Sequence, residues 1–375
     1  MTGKSLAGSY LLALLCGAGV SMAQETFDRE RVKALYEKSH SGAKLSEEDQ
    51  KYLERGLQYF KIQPPGAPKP PTGGQPEPKR EEKPSTGLKP LTEMTASERY
   101  KGEDGGLYGG GKNEPPPSHQ AAADEALAKI QPLDAQGHPA ADGKIVFISL
   151  GMSNTAGEFR MFKEIADADP AKSPKVQIVN CAVGGAGVST WAKSRSGAWL
   201  KVDDFLKEAG VTPAQVQVAW IKHAEPAPQP DATELQYAHQ VSKDIGASLV
   251  NARATFPNLR LEFLSSRIYG GYNTAGLRLT NPEPFAYETA FADRWLILDQ
   301  IRSEQTAKID GPVLLWGPYM WADGVTPRQS DGLTWLRADL SNDGVHPSPQ
   351  GGAKVANMLL TFFKTNRWAK PWFAK

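Results

Sequence analysis

From about residue 91 onward, short apolar runs alternate with helical patterns, and nothing else in the chain limits the fold as strongly. Five runs are rich in Val, Ile and Leu: Lys144–Leu150, Val176–Ala182, Val216–Ile221, Leu259–Leu264 and Val313–Trp316. Runs this short and this rich in Val, Ile and Leu read as strands. Helical spacing falls between or after them, at about 158–168, 197–209, 231–255, 286–308 and 350–365. The alternation predicts an α/β fold with a mostly parallel sheet and helices on both faces. Ligands in such sheets bind at the carboxyl ends of the strands. The segments 151–157, 182–191, 222–230, 265–285 and 317–346 therefore frame the expected site.

What precedes this domain is different in kind. Lys4 and the apolar run Tyr10–Val20 read as a secretory leader, too short to span a bilayer, with Ser21-Met22-Ala23 as its cleavage site. Cleavage after Ala23 predicts a secreted or periplasmic protein. Cys16 invites a lipoprotein reading, but Leu15 stands where a small residue is usual. Residues 24–60 read as a helical hairpin, either a docking element for a partner or a small cap. Residues 61–90 carry nine prolines in thirty positions and read as an extended linker, which puts the main domain at 91–375. The net charge of +1 argues against a nucleic-acid partner. Two cysteines exclude a disulfide scaffold and a Cys-rich zinc site, and no H-E-x-x-H is present, so no metal or cofactor is expected.

Three strand ends carry chemistry. The first run leads into Gly151-Met152-Ser153-Asn154. A serine at a strand-to-helix turn exposes its hydroxyl and places its own N–H at a helix N-terminus, where it can face an oxyanion or simply cap the helix. After the last run comes Asp343-Gly344-Val345-His346-Pro347. Asp343 can meet the His346 imidazole and fix its tautomer, or form an ordinary turn. Between them lies Gly184-Gly185-Ala186-Gly187, whose backbone can approach a ligand closely. A further segment, Gly106–Lys112, nearly matches a phosphate-binding loop. No strand precedes it, and the prolines that follow should not continue as a helix, so it reads as a flexible loop beside the active edge.

Taken in order, these blocks resemble the SGNH (GDSL-type) hydrolases, most closely the sialate O-acetylesterase-like branch, over about residues 144–366. The resemblance implies a three-layer α/β/α fold around a five-strand parallel sheet. It also implies Ser153 as nucleophile, His346 as base, Asp343 as its orienter, and amide donors to the oxyanion from Ser153 and Gly185. Met152 departs from the Asp or Gln usual before the nucleophile. Aligning His223-Ala224-Glu225 with the branch's Gln-Gly-Glu puts His223 in the third donor position. The later loops supply Arg267, Tyr269, Tyr272, Asn281, Glu283, Tyr319, Trp321 and Asp323, a set that could bind a sugar or pack the loops. The expectation is a serine esterase acting on an O-acyl, chiefly O-acetyl, carbohydrate ester. The alternative is a catalytically silent, glycan-binding relative.

Overall fold

Five strands form one sheet: β1 (Ile145–Gly151), β2 (Val176–Asn180), β3 (Val216–Lys222), β4 (Leu261–Leu264) and β5 (Val313–Trp316). Their order is β2-β1-β3-β4-β5, and every pairing is parallel. β1, β3, β4 and β5 are buried along their whole length, which is why they read as predominantly apolar runs. The computed structural model describes residues 28, 31, 32, 35, 38, 45–62, 82–226, 228, 235–274, 281–304 and 311–375. The expected leader and most of the expected linker lie outside the described residues.

The chain divides into two compact units, Met1–Pro68 and Lys69–Lys375. In the first, helix α1 (Glu47–Ile62) opens on an acidic turn, and Ser46 Oγ accepts the Asp49 amide at 3.1 Å. Val32, Leu35 and Leu53 form a small buried cluster with Leu45 and Tyr52 against it.

In the second unit the helices are α2 (Pro117–Leu127), α3 (Ser153–Ala168), α4 (Val188–Trp191), α5 (Gly197–Glu208), α6 (Gln236–Thr255), α7 (Phe285–Glu304), α8 (Pro349–Thr365) and α9 (Lys370–Phe373). On one face of the sheet, Phe147 of β1 packs against Phe159 and Phe162 of α3, Phe363 of α8 and Trp372 of α9, with ring centroids 4.6 to 6.0 Å apart. On the other, α6 and α7 pack side by side. Helix α2 starts at the very proline expected to prevent one. Proline is tolerated at a first helical position because the N–H it lacks would be unpaired there anyway.

Residues 82–90 belong to this unit rather than to the linker. The Lys83 amide donates to the Gly271 carbonyl at 2.8 Å, and the Thr86 and Gly87 amides donate to the Asp323 carboxylate at 2.7 and 2.8 Å. The Gly-rich segment is also tied down. The Gly105 and Gly106 amides donate to the Thr95 and Leu91 carbonyls, and Trp316 Nε1 donates to the Leu107 carbonyl at 2.8 Å.

Glu262 of β4 is 0% exposed, and neither carboxyl oxygen has a partner among the described residues. Burial pushes its pKa up from 4.5 to about 8, so the folded state holds a proton that the unfolded chain gives up near 4.5. Its contribution is full below about 4.5 and is lost as pH rises to about 8, at roughly 1.4 kcal/mol per pH unit. Glu262→Gln should remove that component. Denaturant melts of both proteins at several pH values should show the variant's relative stability growing between pH 5 and 8. A constant difference would mean that Glu262 does not titrate in that window.

Candidate active site

In a sheet ordered β2-β1-β3-β4-β5, the connection direction reverses between β1 and β3, and a crevice opens at their carboxyl ends. Ser153 stands at the end of β1 as the first residue of α3. Gly151 makes the turn possible. A Cβ there would fall 2.4 Å from Thr155 Oγ1 and 2.5 Å from the Lys222 carbonyl, so β1 can pass β3 this closely only without a side chain.

The loop from Ser341 to Ser348 brings His346 and Asp343. The Gly344 amide donates to the Ser341 carbonyl at 2.9 Å and the Ser341 amide to the His346 carbonyl at 2.8 Å, closing a tight turn. Gly344 sits at φ +64°, and a Cβ there would lie 1.9 Å from the Tyr272 carbonyl oxygen. Ser348 then caps α8 by accepting the Gly351 amide at 3.2 Å. Asn154 ties the two loops together, its Nδ2 donating to the Val345 carbonyl at 2.9 Å.

The structure brings Ser153, His346 and Asp343 into one line. Ser153 Oγ lies 2.8 Å from His346 Nε2, and His346 Nδ1 lies 2.6 Å from Asp343 Oδ2. Asp343 Oδ1 accepts the Val345 and His346 amides at 2.9 and 3.0 Å. Partial burial would raise the Asp343 carboxyl, but the bonds from the His346 ring and the two amides outweigh it and hold its pKa below the ordinary value. An ionised Asp343 can only accept, so Nδ1 keeps its proton and Nε2 turns its lone pair to Ser153. That arrangement can take a proton from the serine hydroxyl. The side chains of His346 and Asp343 are 45% and 44% exposed, which places the line at an open surface.

Donors for a developing oxyanion sit beside it. The Ser153 amide is at the first turn of α3, where N–H groups have no partner within the helix. A Cβ on Gly184 would be 4.0 Å from the Ser153 Cβ, so the Gly184-Gly185 backbone passes next to Ser153. Among the described residues, neither glycine amide is engaged in a hydrogen bond.

His223 does not fit the donor role given to it by alignment. It is 2% exposed, with Nε2 3.3 Å from Ser248 Oγ on α6 and Nδ1 buried without a partner among the described residues. Burial drives its pKa down to about 3, leaving a neutral ring closed off from solvent. Its neighbour two positions on has the clearer task. Glu225 accepts the Ser189 amide at 2.8 Å and the Ser189 hydroxyl at 3.0 Å. The Val188 amide donates to the Ala224 carbonyl at 3.0 Å. Together they clamp the glycine loop to the exit of β3. The sequence signal for Glu225 was the same three-residue block that pointed to His223.

Below the site lies a buried ion pair that the sequence did not reveal. Lys222 Nζ at the end of β3 donates to both carboxylate oxygens of Glu158 in α3 at 2.6 Å. Burial lowers the Lys222 pKa to about 8, although Glu158 opposes the shift.

The loop residues expected to hold a sugar are mostly turned inward. Tyr269 OH donates to the Lys83 carbonyl at 2.7 Å and Tyr272 OH to the Trp335 carbonyl at 3.0 Å. Trp321 Nε1 donates to Glu283 Oε1 at 2.8 Å, and Glu283 also accepts the Gly270 and Tyr287 amides. Asn281 Nδ2 donates to the Glu225 carbonyl, Tyr319 OH accepts the Leu91 amide at 3.1 Å, and Asp323 holds Thr86 and Gly87. All seven are buried. They fasten the 82–91 segment and the loops to the sheet, and they offer no free stacking face. Arg267 is buried as well, but its surroundings differ. Its Nη1 approaches Met152 Sδ at 4.0 Å, one residue before Ser153.

No protein-family model matches the sequence, and comparison with curated proteins gives no match. Similar solved structures include a Bacillus subtilis protein at 9% identity and TM-score 0.34, aligned over 60% of this chain and 57% of its own. A gut microbial diltiazem-metabolizing enzyme follows at 12% identity and TM-score 0.33, over 61% of this chain and 48% of its own. The extracellular lipase of Streptomyces rimosus aligns at 12% identity and TM-score 0.30, over 57% of this chain and 99% of its own. This chain thus spans about half the length of the first two. TM-scores this low say nothing about chemistry, which has to come from the site itself.

Proposed function

We propose that this chain is a serine ester hydrolase of the SGNH type. The observation that carries the reading is the continuous line from Ser153 Oγ through His346 to Asp343 at the open edge of the sheet. Ser153 Oγ attacks the acyl carbon while its proton passes to His346 Nε2. The Ser153 and Gly185 amides face the resulting oxyanion. Collapse expels the alcohol, which takes the proton from His346. Water, activated by the same ring, then hydrolyses the acyl-serine and releases the carboxylic acid.

A small acyl group on a large alcohol suits the exposed position of His346 and Asp343, because a polymer can reach a surface site that a deep tunnel would exclude. An O-acetyl carbohydrate is the reading we favour, with the apolar leader carrying the enzyme to where such polymers are. The inward-facing tyrosines and tryptophan remove stacking from the argument, so polar recognition has to serve instead. The test is kcat/KM on acetylated glycans against p-nitrophenyl esters of rising chain length. Acetate release, with rates falling beyond short chains, is expected. Preference for chains of about eight carbons or more, with no acetate released, would leave a lipid esterase.

A further inference from the structure

Three arginines of the described residues are buried, and two have carboxylate partners. Arg294 is paired with Glu103 and Asp104, and Arg328 with Asp331. Arg267 is the exception. It is 4% exposed, and among the described residues its Nε is buried with no partner and its only side-chain hydrogen-bond contact is the Met152 thioether at 4.0 Å. The carboxylates whose charge reaches it are spent elsewhere. Glu158 is bound through both oxygens to Lys222, and Glu283 accepts from Gly270, Tyr287 and Trp321. A buried cation without an anion is strongly disfavoured, and such arrangements concentrate at functional sites. This one lies beside the residue preceding the nucleophile. Met152 occupies the position where an Asp or Gln could have satisfied the guanidinium, and no described carboxylate takes that place, which leaves the guanidinium open to an acceptor carried by a ligand.

Resting on the hydrolase reading, we propose that Arg267 is a specificity-determining residue, binding a carboxylate that the substrate carries close to its scissile ester. A guanidinium fits a carboxylate with two parallel N–H donors, and a dry setting strengthens that match. The carboxylate can belong to the acyl half, as in a hemisuccinate, or to the alcohol half, as in an acetylated uronic-acid polymer.

Both sources can be tested on the full chain. The first comparison is kcat/KM on p-nitrophenyl hemisuccinate against the butyrate ester of similar size. The second is acetate release from acetylated polygalacturonate against acetylated xylan. The wild type should prefer the anionic member of at least one pair, and the pair identifies the half that carries the charge. Arg267→Met should reduce that preference by roughly 30-fold or more, mainly through KM, and Arg267→Lys should restore part of it. Equal rates on both members of both pairs would overturn the proposal while leaving ester hydrolysis intact. A binding measurement separates the two claims. In Ser153→Ala, free succinate or galacturonate should raise the melting temperature more than neutral butyramide or galactose, and Arg267→Lys should weaken that shift. An Arg267-dependent shift without hydrolysis of any ester would sink the hydrolase and keep the anion site. Absence of the shift would remove the site. Should Arg267→Met fail to fold, Arg267→Lys carries both comparisons.

Discussion

Ester hydrolysis should fall by about 10³-fold or more in Ser153→Ala, and by a similar factor in His346→Ala, with the sheet still folded. The size follows from the geometry. Ser153 Oγ and His346 Nε2 are 2.8 Å apart, so the proton leaves the hydroxyl along an existing hydrogen bond. Removing either partner removes nucleophilic catalysis outright, and only the oxyanion donors and binding remain. The double variant should be little worse than either single one, because the two groups act as a unit. Neither side chain belongs to the apolar core, so circular dichroism and the melting temperature should change little. A fluorophosphonate should label Ser153 in the wild type and not in Ser153→Ala. Labelling at a different serine, or full activity in the alanine variant, would remove Ser153 from the reaction.

The largest stability effect is expected from breaking the ion pair beneath the site. Lys222 and Glu158 side chains are 1% and 0% exposed and only 2.6 Å apart. Lys222→Met leaves the Glu158 carboxylate buried with no cation bound to it. It should cost about 3–5 kcal/mol in a denaturant melt. Replacing both residues, as Glu158→Leu with Lys222→Met, should recover most of that loss, since no orphan charge then remains. The double variant need not recover activity. Glu158 shares helix α3 with Ser153, and Lys222 ends the strand that leads to Glu225, so the pair fixes the helix that carries Ser153 against the strand leading to the glycine-loop clamp. A small loss for Lys222→Met alone would mean that Glu158 finds another partner or takes up a proton.

The strands were legible because burial on both faces leaves a predominantly apolar run, and β5 lies where the run Val313–Trp316 placed it. The Ser153–His346–Asp343 line was legible for a local reason. Ser153 immediately follows a strand, and Asp343 and His346 are three residues apart on one turn. Helix α2 was missed because its apolar face is weak, formed largely of small alanines, and because its first residue is a proline. Composition alone reads residues 82–90 as linker. What holds them is the Asp323 carboxylate, 236 and 237 positions away, together with the Gly271 carbonyl.

By itself, then, the sequence determined the layer architecture, the strand ends that carry chemistry and the three residues drawn into line there. Periodicity, turn residues and short spacings are local, and local patterns survive being read in one dimension. Only the tertiary structure decided which polar side chains are available to a substrate. Tyr269, Tyr272, Glu283 and Trp321 have the composition of a binding surface, yet their polar groups are bonded to Lys83, Trp335, Gly270 and one another. His223 and Glu225 stand two positions apart on one strand exit. One is closed against Ser248, and the other holds the glycine loop. Arg267 looks like any other arginine until its neighbours are counted. Exposure and pairing are set by segments that meet across many tens of residues, and a side chain's chemistry depends on which of its hydrogen bonds those segments have already taken.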